Sequence, residues 1–358
     1  MLQPITTHGV DRTATHEAIC QLKEKLGRSV CILGHHYQSS EVIRHCDARG
    51  DSLELARMIA DIEAKYIVFC GVSFMGESAA ILTRPGQSVY LPDKDAECAM
   101  ALTSPATLVD TVCSRVLALG RKLTPLAYVN TSVGVKAVVG RHGGAVCTSA
   151  NARDMLKWAL EQGDGVFFLP DKNLARNTAA ALGVGTKDIH ILDITKGGSM
   201  LDEDAIQKAR IVVWPGQCAI HARFRPVHIA EARKANPGCT IAVHPECSPE
   251  VVAASDVSGS TTTIIRVVRD AKPGDVICVG TESNLVWRLA EEAATRQVMV
   301  KPLAVSVCSN MARVTPENLR ATLESIVEGT AQPVHVDERD AEPARASLRR
   351  MLDAMHRQ

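Results

Sequence analysis

Ser29-Val30-Cys31-Ile32-Leu33-Gly34, running straight into His35-His36-Tyr37-Gln38, decides how this chain reads. A short run of Val, Ile and Leu closed by Gly has the pattern of a strand buried on both faces. In α/β proteins ligands sit outside the carboxyl ends of such strands, which is where these polar side chains fall. The same pattern recurs at 66–71, 88–91, 126–130, 145–148, 165–169, 211–214, 240–243, 275–280 and 298–302. Helical periodicity fills the gaps. The stretch 53–64 places Leu55, Met58, Ile59 and Ile62 on one face, with Asp51 and Glu54 at capping-box spacing. Further helices are expected at 285–296, at 316–325 behind a Thr315 N-cap with Pro316 in the first position, and in an amphipathic tail at 343–356. Strands alternating with helices argue for α/β architecture with parallel sheets covered on both faces. There are too many strands for one ordinary sheet. A single (β/α)8 barrel fits the count, but Gly/Pro-rich turns near 98–106, 214–219 and 302–308 favour several smaller sheets.

Composition narrows the function. The 358 residues suffice for two or three domains, and 40 Lys+Arg balance 40 Asp+Glu. A neutral chain is a poor candidate for phosphate-driven nucleic-acid binding or for attachment to an anionic membrane surface. With only 3% aromatic residues, base-stacking platforms are excluded as well, and 46% hydrophobic content excludes disorder. No segment approaches the roughly 18–20 apolar residues a membrane span needs. The stretch up to Glu17 carries Asp11 and Arg12 and has no apolar h-region, so no signal peptide is expected and the cytoplasm is the expected compartment.

In that compartment disulfides are rare, which makes 12 cysteines informative. They form no CxxC pair, so zinc-ribbon and thioredoxin-like readings lose their main signature. Cys31, Cys70 and Cys278 sit inside apolar runs and read as buried hydrophobes.

Reading just past each strand gives Pro92-Asp93, Tyr128-Val129-Asn130-Thr131-Ser132, Cys147-Thr148-Ser149, Pro170-Asp171-Lys172-Asn173, Trp214-Pro215-Gly216-Gln217-Cys218 and on to His221, His244-Pro245-Glu246-Cys247, Gly259-Ser260-Thr261 and Gly280-Thr281-Glu282-Ser283-Asn284. Helix N-capping explains each Ser, Thr, Asn or Asp singly. The alternative is that several helix N-termini converge and hold carboxylate or phosphate oxygens. GxGxxG and GxxxxGK[ST] are both absent, so the anion would be a small acid or phosphate and not a dinucleotide. His35, Tyr37, His221, His244 and Glu246 together suggest acid–base chemistry. His244 and Glu246 point to the same side if the backbone stays extended.

These motifs resemble the quinolinate synthases. The match runs through His35-His36-Tyr37-Gln38, Gly50-Asp51-Ser52-Leu53, Phe74-Met75-Gly76-Glu77, Tyr128-Val129-Asn130-Thr131-Ser132, His244-Pro245-Glu246, Gly259-Ser260-Thr261 and Val334-His335-Val336-Asp337-Glu338-Arg339, in family order over nearly the whole chain. The resemblance implies three similar αβα-layer, Rossmann-like domains around a pseudo-threefold axis. Their expected limits are 1–100 plus 309–358, 101–219 and 220–308. It also implies a [4Fe–4S] cluster held by Cys98, Cys218 and Cys308, with Cys247 the chief rival ligand. Two departures stand out. Cys308 lacks the neighbouring cysteines some members carry, so a local disulfide switch is not supported, and position 36 is His where Tyr or Asn is common. Gly140-Arg141-His142-Gly143-Gly144 reads as a small insertion that tunes a lid or is inert.

The implied reaction condenses iminoaspartate with dihydroxyacetone phosphate to quinolinate, phosphate and two waters, in de novo NAD biosynthesis. The open iron would act as Lewis acid toward a departing hydroxide. L-Aspartate oxidase or aspartate dehydrogenase is the expected functional link; neither nucleic acid nor membrane is expected as a partner. Glu246 is expected to be the general base, with Tyr37 and His35 as proton relays. Tyr128 and Asn130 would orient substrate. Ser52, Ser149, His244 and Thr261 would bind carboxylate or phosphate oxygens, joined by His35 and Glu246, and His221 would act on substrate or support the cluster. The rivals are a zinc hydrolase using Cys218, His221, His244 and Glu246, an aconitase-like hydro-lyase, and an iron–sulfur sensor or binding protein.

Overall fold

The computed structural model describes residues 12–356, so the first eleven residues of the N-terminal stretch read above lie outside the described residues. Among the described residues, thirteen strands form three separate sheets, not a barrel. The first sheet holds β1 (Val30–His35), β2 (Ala48–Gly50), β3 (Tyr66–Cys70) and β4 (Ser88–Tyr90) in the order β2-β1-β3-β4. The second holds β5 (Leu123–Tyr128), β6 (Ala145–Cys147), β7 (Gly165–Leu169), β8 (Ile189–Ile191) and β9 (Ile211–Val213) in the order β6-β5-β7-β9-β8. The third holds β10 (Thr240–Val243), β11 (Val257–Ser258), β12 (Val276–Gly280) and β13 (Met299–Pro302) in the order β11-β10-β12-β13. Every pairing is parallel. Apart from the added edge strand β8, the order is the same three times: the fold is three similar αβα units.

All ten apolar runs are strands. The three strands the pattern did not reveal, β2, β8 and β11, are two- or three-residue edge strands, too short for any periodicity. Helix Ser52–Ile59 has Asp51 as its N-cap with the full capping box, its Oδ1 accepting from Leu53 and Glu54 N–H at 2.9 and 3.0 Å. It ends earlier than its apolar stripe, because Asp61 N–H bonds to Met58 C=O (3.0 Å) and tightens the chain into a turn toward β3. Thr315 caps helix Pro316–Glu328 as expected. Cys70 and Cys278 are buried, whereas Cys31 is only partly so. No described helix is long and apolar enough to cross a membrane.

Hydrogen bonds between units run in a closed ring. In each unit the helix that follows the third strand reaches the loop that follows the first strand of the next unit. From the first unit, Glu77 on helix Ser73–Leu82 accepts Val133 N–H at 2.8 Å. From the second, Asn173 and Asn177 on helix Lys172–Ala181 donate to Glu246 C=O (3.2 Å) and to the Pro245 and Cys247 carbonyls (both 2.8 Å). From the third, Asn284 and Arg288 on helix Ser283–Ala294 donate to Tyr37 C=O (3.3 Å), Gln38 C=O (3.1 Å) and His36 C=O (2.5 Å). Asn173 and Asn284 are each the second residue of their helix, Asn177 and Arg288 each the sixth.

The tail helix Glu338–His356 starts earlier than its amphipathic stripe, where Asp337 Oδ1 accepts Arg339 N–H at 2.9 Å. It lies against helix Val133–Arg141 and β6. The Gly-rich stretch at 140–144 seats this helix. Arg350 Nη1 donates to Gly144 C=O at 2.6 Å, and a Cβ on Gly140 would stand 1.9 Å from the Pro343 carbonyl oxygen. Gly140→Ala should therefore lower the unfolding free energy by about 1–3 kcal/mol, the usual cost of overpacking. Chemical denaturation checks this, and unchanged stability would mean the helix does not sit on Gly140.

Candidate active site

The carboxyl ends of all three sheets open on one cleft with about 870 Å³ of free space, part of it continuous with solvent. Threefold repetition dictates what lines it. The first strand of each unit ends in, or one residue before, a side chain that enters the cleft, and a second follows two residues on: His35 and Tyr37, Tyr128 and Asn130, His244 and Glu246. The neighbouring second strand ends level with it, pairing His35 with Gly50, Tyr128 with Cys147 and Val243 with Ser258. Just beyond lie Ser52 and Thr261, each the first residue of its helix, and Ser149, in the turn before helix Ala152–Glu161. The last cleft-facing segment of each unit brings a cysteine: Cys98, Cys218 and Cys308.

Each cysteine opens a helical turn, its carbonyl accepting from the N–H four residues on: Leu102 (3.1 Å), Ala222 (3.0 Å) and Ala312 (2.9 Å). Backbone N–H groups also reach the sulfurs, from Met100 and Ala101, from His221, and from Asn310 and Met311. Burial pushes all three thiols up, Cys98 to about 12, against those N–H groups. Cys247, the expected rival, is buried outside the cleft lining with its Sγ 3.8 Å from Gly280 C=O.

The acid–base groups cluster on the third unit. His221 and His244 stack, centroids 4.3 Å apart, and their Nδ1 atoms lie 2.6 and 3.3 Å from the same oxygen, Glu246 Oε2. Burial pushes the Glu246 carboxyl up, but the two imidazoles outweigh it, so the carboxylate stays ionised well below its usual range. Burial lowers His35 to about 3, helped by the neighbouring His36 and His244. Its Nδ1 accepts Tyr37 N–H at 3.1 Å, which leaves the proton of the neutral ring on Nε2. Burial, then Glu246, raises the Tyr37 and Tyr128 phenols, so both are hydrogen-bond donors at neutral pH. Tyr37 Oη is 2.9 Å from Thr281 Oγ1, and His221 Nε2 is 3.0 Å from the same hydroxyl. Glu246 Oε1 and Asn130 Oδ1 are buried without a hydrogen-bond partner, polar atoms of the kind a ligand satisfies.

Every site residue expected from the sequence lines this one cleft. His36 does not: it is 3.6 Å from Glu54 through its Nε2 and lies between units. Three residues beside the cleft stood in the stretches quoted after strands but were given no site role. Asp171 caps helix Lys172–Ala181 through Leu174 N–H (2.7 Å) and also accepts Cys218 N–H at 3.0 Å. Glu282 caps helix Ser283–Ala294 through Asn284 N–H (2.7 Å) and accepts Cys308 N–H at 3.3 Å. Thr281 is wholly buried behind Tyr37 and His221. The signal that could have found them is their shared place directly after a third strand.

A family model described as "Quinolinate synthetase A protein" matches residues 17–353. The chain is similar to a quinolinate synthase of Streptomyces coelicolor, 44% identical over 338 residues, covering 92% of this chain and 86% of that one. It is 40% identical over 345 residues to a quinolinate synthase of Halalkalibacterium halodurans (96% and 94% covered), and 38% identical over 343 residues to one of Acidobacterium capsulatum (94% and 92%).

Keeping His35 neutral has a cost in acid. From pH 6.5 downward the unfolded chain takes up a proton here and the folded chain does not until about pH 3, so this group makes stability fall with falling pH. Between pH 6.5 and 5 the loss is about 2 kcal/mol at 1.4 kcal/mol per unit. His35→Asn should remove up to one proton from the pH-slope of the unfolding free energy in that window. An unchanged slope would show that His35 protonates within the fold.

Proposed function

The chain belongs to the quinolinate synthase family, an enzyme family of NAD biosynthesis, and on that premise we propose that it condenses iminoaspartate with dihydroxyacetone phosphate to quinolinate, phosphate and two waters. The observation that carries this reading is one cleft lined by three thiols, an ionised carboxylate with two imidazoles, two protonated phenols and the hydroxyls of Ser52, Ser149 and Thr261.

Cys98, Cys218 and Cys308 would hold a [4Fe–4S] cluster. The donor chemistry fits: soft thiol ligands, one from each unit, each with backbone N–H groups reaching its sulfur. With three protein thiolates for four irons, such a cluster supplies Lewis acidity toward a substrate oxygen at its remaining iron. The rest of the chemistry is done by side chains. Ser52 and Thr261, at helix N-termini, and Ser149, in the turn before helix Ala152–Glu161, hold carboxylate or phosphate oxygens. Tyr128 and Asn130 orient the substrate, and Tyr37 donates to a carbonyl or enediol oxygen. Glu246, ionised and flanked by His221 and His244, takes protons as general base.

One observation favours a rival zinc site: donor atoms of Cys218, His221 and Glu246 lie within 4.8 Å of one another. His221 Nε2 is already engaged with Thr281, however, and its Nδ1, though 2.6 Å from Glu246 Oε2, makes no aligned hydrogen bond, so the pair alone does not decide against zinc. Metal analysis decides. Protein purified without oxygen should be brown with about four irons per chain, whereas a colourless protein with a single zinc would overturn the cluster. Cys98→Ala, Cys218→Ala and Cys308→Ala should each lose the chromophore, while Cys247→Ala and Cys278→Ala keep it. Glu246→Gln should retain iron and lose turnover by about 100-fold or more, the scale of a missing general base. Full activity in that variant would remove Glu246 from catalysis, and dependence of product on dihydroxyacetone phosphate separates this reaction from a hydro-lyase.

A further inference from the structure

Asp171 and Glu282 occupy one place in two units, the second residue past the third strand, since β7 ends at Leu169 and β12 at Gly280. Both are wholly buried. In all three units a backbone strap ties this place to the cysteine segment. The residue after it donates its N–H to the carbonyl two residues before the cysteine: Ser73 to Ala96 at 2.8 Å, Lys172 to Gly216 at 2.9 Å and Ser283 to Ser306 at 2.9 Å. Two units add a second tie. Asp171 Oδ2 accepts Cys218 N–H at 3.0 Å, while Oδ1 caps its helix at Leu174 N–H. Glu282 Oε1 accepts Cys308 N–H at 3.3 Å, while Oε2 caps its helix at Asn284 N–H. The first unit has Val72 in this place, which has no side-chain oxygen to offer Cys98. Capping alone needs one oxygen, which Ser or Thr supplies without burying an acid. A buried acid in both places, each with its second oxygen on a cysteine N–H, is accounted for by the cysteine.

We propose that Asp171 and Glu282 are positioning residues that fix the Cys218 and Cys308 segments for the metal centre, so that loss of a bound cluster begins at Cys98, whose segment has the strap and no carboxyl tie. The inference rests on the three-thiol cluster assigned above. A ligand atom leaves a metal when its backbone can swing away. Two ties oppose that swing at Cys218 and at Cys308, where one does at Cys98. Removing a group that orients a metal ligand costs about 10- to 100-fold in metal affinity. Exposure does not set Cys98 apart: all three cysteines are partly exposed, and each opens a helical turn.

The test follows cluster loss from the iron-loaded protein under an iron chelator, with pulses of iodoacetamide and peptide mass mapping to time the release of each thiol. Each rate is divided by that of the same thiol in the metal-free protein, which removes differences in exposure and acidity. In the unaltered protein Cys98 should be alkylated ahead of Cys218 and Cys308. Asp171→Ser keeps a cap for its helix but has one oxygen, which cannot serve both N–H groups. It should release iron about 10- to 100-fold faster and bring Cys218 level with or ahead of Cys98. Glu282→Ser should do the same for Cys308 alone. If Asp171→Ser or Glu282→Ser does not fold, Asp171→Asn or Glu282→Gln replaces it, having likewise one oxygen for the two duties. Simultaneous release of the three thiols in the unaltered protein, or release led by Cys218 or Cys308, overturns the proposal. So does an order of release that the variants leave unchanged. An unaltered protein that takes up no iron overturns the cluster assignment instead.

Discussion

The ring of helix-to-loop hydrogen bonds holds the cleft in place. A parallel αβα unit is complete within itself as to its sheet, but the loops at the carboxyl ends of its strands have backbone groups that its own ladder does not satisfy. Here each such loop is satisfied by the next unit: Glu77 on Val133, Asn173 and Asn177 on 245–247, Asn284 and Arg288 on 36–38. The residues so fixed are the immediate neighbours of Asn130, Glu246, His35 and Tyr37. The contacts are heterologous yet close after three, the condition for a ring in place of an open chain of units. Each unit therefore sets the geometry of chemistry carried by another.

Repetition explains both the economy and the asymmetry of the site. The same three places in each unit supply a strand-end pair, a hydroxyl soon after the second strand and a cysteine. What differs is the strand-end pair: His and Tyr, Tyr and Asn, His and Glu. The cysteines and hydroxyls stay alike, which suits groups that bind, and the pairs diverge, which suits groups that move protons in one direction. Asp171 and Glu282 show the repetition in a supporting role, each capping a helix with one carboxylate oxygen and holding a cysteine N–H with the other. In the first unit the corresponding cap is Val72, which has no such oxygen.

Much of this was legible in the sequence, and the limits have physical causes. Buried parallel strands write continuous apolar runs, so all ten were readable, while Ala48–Gly50 and Val257–Ser258 are too brief to write anything. Capping chemistry at Asp51 and Thr315 is local and was readable for that reason. The meeting of Cys98, Cys218 and Cys308 is not local: no spacing encodes it, and only the likeness to a known family pointed there. Asp171 does cap its helix, so a correct local reading concealed a second duty. The contact of the Gly140–Gly144 stretch with the tail helix was not legible because its partner, Arg350, is 206 residues from Gly144.

The arrangement of the three thiols also bears on how the protein is made. A nascent chain leaving the ribosome exposes first one sulfur, then two, and gains the third only once the first 308 residues have been translated. No intermediate that stops short of Cys308 can present the complete ligand set, so any metal bound by all three must arrive after that residue has been made. Loading thereby waits on synthesis of all three units, and products truncated before Cys308 would be left without the centre.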